Sequence, residues 1–225
     1  MKSKGTEWET IVTGPFQENT YLVWAGGANQ ALCIDPGDDL PLIMAALETN
    51  NLELACILGT HGHVDHVGAV AGLRKETGAA FLFPAGDREQ LAHLPQACLM
   101  LGLPVMEAPE VDLWITPDQL VLNARVHAAI PEGVDISVHH TPGHSAGSVC
   151  YEIDGLLFTG DTLFLGSIGR TDLPGGNERQ IMESLDQLAA LPGDLTVLPG
   201  HGPDTTILQE RRANPFLKNR PMEAS

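Results

Sequence analysis

Positive charge is scarce in this chain. Twelve Lys+Arg stand against 29 Asp+Glu, a formal net charge of −17 over 225 residues. Non-specific binding to nucleic acid depends on basic side chains that neutralise phosphates, so that class of partner is excluded. Attachment to an anionic membrane surface is excluded on the same ground. No run approaches the ~18 apolar residues of a membrane span. The opening MKSKGTEWET lacks the apolar stretch of a secretory leader, so the expected location is the cytoplasm. Cysteine is limited to Cys33, Cys56, Cys98 and Cys150, none of them in a CxxC pair. Three sit inside apolar runs (ALCID, LACIL, SVCYEI), so they read as small buried hydrophobes rather than disulfide partners. A chain of this length buries about 70% of its unfolded surface and needs no such staples.

What is present is an ordinary globular composition, 43% hydrophobic and 18% charged. Twenty-four Gly and 16 Pro, spread along the chain, predict many turns and no long helical bundle. Short apolar runs alternate with helical patterns, which is the α/β class. Strands are expected over 8–14, 19–24, 30–34, 54–58, 80–83, 135–139, 149–153, 156–159 and 196–198. Helices are expected over 40–48, 67–77, 178–191 and 205–212. One domain spans residues 1–213, and 214–225 read as a polar tail. Residues 84–133 are the least regular part, broken by six prolines from Pro84 to Pro131. They read as a packed insertion, with a lid or a subunit contact as the functional alternative. Oligomerisation is therefore possible, with 94–114 as the apolar candidate surface.

Nine histidines occur, and five fall at special places. The segment Thr60-His61-Gly62-His63-Val64-Asp65-His66 packs three His and one Asp into six positions. Composition alone would produce HxHxDH in about one chain of this kind in a thousand. Imidazole and carboxylate are the ligands that suit zinc, iron and manganese. In an extended loop residues i and i+2 point the same way, so His61 and His63 can clamp one ion. Asp65 and His66 lie where the chain turns into a helix and can serve a second. His144, Asp161 and His201 each follow a short apolar strand and each is preceded by Gly. Strand ends of layered α/β proteins are where ligand sites collect. His93, His127, His139 and His140 read as ordinary histidines. Asp35, after ALCID, is either an outer partner for a ligand imidazole or a turn residue before Pro36-Gly37.

THGHVDH, TPGHSAGS, FTGD and LPGH, in that order, resemble the metallo-β-lactamase superfamily over about residues 10–213. Within it the chain is most similar to the short glyoxalase-II-like hydrolases, through LPQACLMLGLP, GRTDLPGGN and LPGHGPDTTILQERRANPFL. The resemblance implies a four-layer αβ/βα sandwich, two mixed sheets between helices, with metals at one edge. It implies that His61, His63 and His144 hold one divalent ion, that Asp65, His66 and His201 hold another, and that Asp161 bridges them. Asp65 and Asp161 are then also the catalytic carboxylates. Zinc is the first choice of metal, with iron or manganese as alternatives. Asp161 stands where antibiotic-hydrolysing branches carry Cys or Ser, which weighs against a β-lactamase.

Two divalent ions, less two carboxylates and a hydroxide, leave a positive site within an acidic protein, so a small anionic substrate is expected. A hydroxide bridging the ions would attack a carbonyl carbon. A thioester leaves as a thiolate whose parent thiol has a pKa of ~8.5, and it needs little help from a general acid. The expected activity is therefore hydrolysis of S-lactoylglutathione or a related hydroxyacyl thioester. Longer glyoxalase II enzymes hold glutathione with basic residues of a C-terminal helical domain. The resemblance does not extend over such a domain, and Pro203 stands where those enzymes carry a tyrosine. Arg170 is the candidate for binding a substrate carboxylate, unless it pairs with Asp172. The main alternative is a mononuclear iron persulfide dioxygenase, which shares the fold and a GRTD segment and would use His61, His144 and Asp161. A lactonase and a non-catalytic metal-binding protein are the further alternatives.

Overall fold

Alternation along the strands builds the interior. The computed structural model describes residues 5–218. Its first sheet orders β1 (Thr6–Thr13), β2 (Glu18–Ala25), β3 (Gln30–Ile34), β4 (Glu53–Leu58), β5 (Ala80–Pro84) and β6 (Leu113–Ile115) as they occur in the chain. The first three run antiparallel and the last four parallel. Successive side chains of a strand face opposite ways. Tyr21, Val23, Leu32, Ile34, Cys56, Leu58 and Leu82 therefore join the cluster between the two sheets. Leu22, Cys33, Ile57, Phe81 and Phe83 join a second cluster, under helices. Those helices are α1 (Leu40–Thr49), α2 (Val64–Val67), α3 (Val70–Thr77), α4 (Arg88–Ala92) and α5 (Leu94–Leu101).

The second half repeats the plan. Strands β7 (Val121–Leu122), β8 (Ile136–His140), β9 (Val149–Ile153) and β10 (Leu156–Gly160) lead, after the small hairpin β11 (Leu163–Phe164) and β12 (Ser167–Ile168), to α6 (Glu178–Ala189), β13 (Thr196–Pro199), β14 (Thr205–Thr206) and α7 (Ile207–Ala213). The sheet order is β14-β13-β10-β9-β8-β7, with only β10 and β13 parallel. Tyr151, Ile153 and Phe158 face the first sheet, while Cys150, Leu157 and Val197 face Leu185, Leu188 and Ile207 of α6 and α7. Two mixed sheets thus lie face to face with helices outside both, the four-layer sandwich. All four cysteines are buried thiols without disulfides. Among the described residues no helix is long and apolar enough to cross a membrane.

Three local expectations need correction. The helix expected over 67–77 begins earlier and is split into α2 and α3, because the Ala69 amide donates to the Pro36 carbonyl at 3.0 Å instead of to a helical partner. The helix expected from 205 starts at Ile207; the β-branched pair Thr205-Thr206 forms β14 against Thr196 and Val197. The Thr206 hydroxyl then caps α7 by accepting from the Gln209 amide at 3.1 Å. Finally, residue 214 does not begin a free tail. Asn214 is buried and donates to the Ser167 carbonyl at 3.0 Å, and Leu217 packs with α6 and α7. The rest of that segment, 219–225, lies outside the described residues. Within the insertion, β6 carries Trp114 against Phe83 and beneath the Arg88 guanidinium, 4.2 Å from the ring centroid.

Candidate metal centre

Both sheets contribute to one edge of the sandwich. His61 and His63 follow β4, and Asp65 and His66 lie in α2; His144 follows β8, Asp161 follows β10 and His201 lies in the loop after β13. The fold brings all seven together. His63 Nδ1 is 2.8 Å from His144 Nε2, and the donor atoms of His61, His63 and His144 lie within 4.8 Å of one another. Asp65, His66 and His201 form a second group within the same limit. Asp161 stands between them, Oδ2 at 3.5 Å from His144 and Oδ1 at 3.4 Å from His66 and 3.7 Å from His201. Each group draws two members from the first sheet's loops and one from the second's.

The ring nitrogens that face outward are accounted for. His61 Nδ1 is 3.0 Å from the Thr60 hydroxyl, which itself donates to Asp35 at 2.6 Å. His66 Nδ1 donates to Asp35 Oδ2 at 3.0 Å, and His144 Nδ1 donates to the Arg170 carbonyl at 2.8 Å. Each of these bonds places the proton on Nδ1 and aims Nε2 inward; at His66 burial opposes protonation, but Asp161 and Asp35 outweigh it and raise the imidazole well above its usual value. Inside, His61 Nε2, His66 Nε2 and Asp161 Oδ1 are buried with no hydrogen-bond partner. Buried polar atoms are rarely left so, and an ion is what such a donor set accommodates. Burial and the neighbouring imidazoles hold His61 in its neutral form; burial followed by His144 brings His63 down to about 4. Burial opposes ionisation of Asp65 and Asp161. The His201 bond and the charge of His66 outweigh it at Asp65, as His66 and His144 do at Asp161, and both carboxyls lie below their usual range. The residues present fit divalent ions.

Close approach explains one glycine in particular. A Cβ on Gly200 would lie 2.5 Å from Asp161 Oδ1 and 2.6 Å from His66 Cε1, so only glycine lets the His201 loop pass beside these groups. Asp35 is buried and accepts from the Thr60 amide, the Thr60 hydroxyl and His66, which makes it an outer partner as well as the residue before Pro36. Arg170 is placed differently from a substrate ligand. Its guanidinium is exposed and doubly bonded to Asp172, at 2.7 and 2.8 Å, so its contribution to the centre is the backbone carbonyl under His144. None of His93, His127, His139 and His140 joins these groups among the described residues; His139 pairs with Glu152 at 2.9 Å. From the insertion, Leu103 and Met106 line a shallow cleft with Phe16, Val64 and Asp65.

Three buried polar residues escape a reading of the sequence. Glu18 lies beside His66, its Oε1 3.8 Å from Nδ1, and burial pushes its carboxyl well up. Asn19 binds the His201 loop, and Asp87 accepts from Gly62, Ser145 and Gly147. Asp87 had a signal: it follows strand AFLFP as Asp161 follows LLFTG. Glu18 and Asn19, at the start of a strand, had none.

Comparison with known proteins is consistent with this geometry. The family model described as metallo-beta-lactamase superfamily matches residues 13–201. The hydroxyacylglutathione hydrolase GloC of Haemophilus influenzae is 34% identical over 217 residues, covering 94% of this chain and 98% of its own length. The solved structure of BLEG-1 B3 metallo-beta-lactamase is 35% identical with a TM-score of 0.86, covering 95% of this chain and 100% of that one. TTHA1623, solved in a di-iron-bound form, is 36% identical with a TM-score of 0.81, covering 93% of this chain and 100% of that one.

Proposed function

The chain belongs to the metallo-β-lactamase superfamily, and on that premise we propose that it hydrolyses small hydroxyacyl thioesters, S-lactoylglutathione among them, with two divalent ions, zinc foremost. The observation that carries the reading is the second group, Asp65, His66 and His201, standing beside His61, His63 and His144 with Asp161 between them. A mononuclear dioxygenase would need only His61, His144 and Asp161 as ligands, whereas the hydrolase reading uses both groups. His61, His63 and His144 would hold one ion, and Asp65, His66 and His201 the other, with Asp161 shared. Bound there, the ions supply a water activated at neutral pH and positive charge for a developing oxyanion.

The chain's own residues do the rest. Asp35, Thr60 and the Arg170 carbonyl fix the imidazoles in the tautomer that presents Nε2. Asp65 and Asp161 stay ionised, so their charge is available at every pH near neutrality. Phe16, Leu103 and Met106 offer an apolar wall beside Asp65 for the acyl or thiol portion. A thiolate departs without a proton donor, whereas an amide nitrogen would need one. The similarity to a protein named hydroxyacylglutathione hydrolase supports the substrate class. Asp161, in place of Cys or Ser, stands against the β-lactam alternative raised by the relative named a B3 metallo-beta-lactamase.

The test is hydrolysis of S-lactoylglutathione by the purified chain, after chelation and again after zinc, iron or manganese is returned, with a chromogenic cephalosporin in parallel. Thioester turnover that vanishes with chelator and returns with metal is expected. No turnover by protein carrying two ions, or oxygen uptake on glutathione persulfide by protein carrying one iron, would overturn the reading.

A further inference from the structure

Two residues outside every ligand motif tie the ligand loops together, one for each group. Asp87 is 2% exposed and lies in the turn after β5. Its Oδ2 accepts from the Gly62 amide at 2.9 Å, between His61 and His63, and from the Ser145 hydroxyl at 2.6 Å, next to His144. Its Oδ1 accepts from the Gly147 amide at 2.6 Å. The backbones are in contact here too: a Cβ on Gly86 would lie 2.7 Å from Gly147 Cα. Asp87 therefore joins the first sheet's His61–His63 loop to the second sheet's His144 loop.

Asn19 does the same at the other group. It is 4% exposed, at the start of β2. Its side-chain amide donates to the Pro199 carbonyl at 2.9 Å and to the Gly202 carbonyl at 2.8 Å, on either side of His201. Its backbone amide donates to Gly200 at 2.7 Å. Three hydrogen bonds from one residue of the first sheet thus span the loop that carries His201, while Asp65 and His66 approach from the first sheet itself. Neither clip touches the other group.

We propose that Asp87 and Asn19 are positioning residues that set the affinities of the two metal positions separately, Asp87 for the His61–His63–His144 position and Asn19 for the Asp65–His66–His201 position. The inference rests on the two-metal reading above. Groups that orient metal ligands typically govern affinity by about 10–100-fold, and here the geometry makes that effect selective.

The experiment is zinc titration of the metal-stripped full chain against a competing chelator. The wild-type stoichiometry is read first. Two single-position backgrounds follow, His201→Ala to retain the first position and His63→Ala to retain the second. Asp87→Ala is expected to weaken zinc binding about 10–100-fold in the His201→Ala background and less than about threefold in the other. Asn19→Ala, and Asn19→Asp, which keeps the shape and turns a donor amide into an acceptor, are expected to do the reverse. Circular dichroism and the thermal midpoint check the fold. Where Asp87→Ala does not fold, Asp87→Asn and Ser145→Ala are read in its place. Equal losses in both backgrounds, or no loss in either, overturn the inference while two ions still bind to the wild type. A wild-type stoichiometry of one overturns the two-metal reading and the inference with it.

Discussion

Replacing Gly200 by alanine is the sharpest probe of the centre's geometry. The added methyl would sit 2.5 Å from Asp161 Oδ1 and 2.6 Å from His66 Cε1. Comfortable contacts to carbon begin near ~3.4 Å, so one group or the loop must retreat by about 0.8 Å. Neither partner has room. His66 is fully buried and held by Asp35, and Asp161 stands between the two ligand groups. Metal–ligand distances tolerate only about 0.2 Å, and a misplacement of ~1 Å in an active site costs about 100-fold in rate. Gly200→Ala is therefore expected to lose at least one ion per chain and about 100-fold in thioester hydrolysis. Its far-UV circular dichroism should be unchanged, since both sheets are built from other residues. Gly202→Ala, two positions on, is the control. There φ is 77° and nothing lies within 4 Å. That substitution should cost about 1–2 kcal/mol of stability through its backbone alone and leave the metal content intact. Metal analysis and steady-state kinetics on both variants decide the matter. A Gly200→Ala protein with two ions and activity within about threefold of wild type would refute the reasoning.

Asp35→Asn keeps the volume and removes the charge that orients His66; zinc affinity by chelator competition should fall about 10–100-fold, and an unchanged affinity would reduce Asp35 to a turn residue. Arg170→Ala should leave KM for S-lactoylglutathione within about threefold, because the guanidinium is already engaged by Asp172 and an exposed pair contributes little; a tenfold or greater rise would restore Arg170 as a substrate ligand. Asp112 accepts from the Arg74 guanidinium and, at 2.8 Å, from the Phe81 amide, and although burial opposes it these bonds hold its carboxyl below the usual range. A lowered folded-state value stabilises above the unfolded pKa and ceases to do so as pH falls through the folded one. The thermal midpoint of Asp112→Asn should accordingly trail wild type at pH 7 and converge with it in acid; a gap that does not change with pH would contradict this.

The parts of the site legible in the sequence are those with a local signal. HxHxDH is contiguous, and His144, Asp161 and His201 each sit behind a recognisable strand and glycine. Strand interiors such as 54–58 and 156–158 read clearly because they are short apolar runs with residues buried on both faces. Short elements were harder. β7, β11, β12 and β14 have two residues each, too few for any period; β7 and β14 form because the longer β8 and β13 offer hydrogen bonds, while β11 and β12 pair only with each other. Helix α5 was half visible in LPQACLML; Pro95 in its first turn and Gly102 at its end frame it, yet only Leu94 and Cys98 are buried, so its apolar pattern had no single face. Asn19 and Glu18 were invisible for a different reason. Asn19 acts on a loop some 180 positions away, and Glu18 lies beside His66 in a different element, and no spacing encodes either.

The division of the centre between two sheets also bears on the order in which the chain acquires structure. His63 and His144, whose nitrogens meet, are 81 positions apart in the chain. Closing so long a loop is unfavourable until the contacts it enables have formed, and it slows folding. Neither sheet alone gathers a full ligand group, so tight ion capture waits until the halves have docked. Once captured, an ion stabilises the native state by mass action, in proportion to how far its concentration exceeds its dissociation constant. It then works as a removable cross-link at one edge of the sandwich. Stripping the metal would loosen the molecule from the edge that carries the ligand groups inward, with amide exchange rising first in the loops after β4, β8, β10 and β13 and last in the apolar layer around Tyr151 and Phe158.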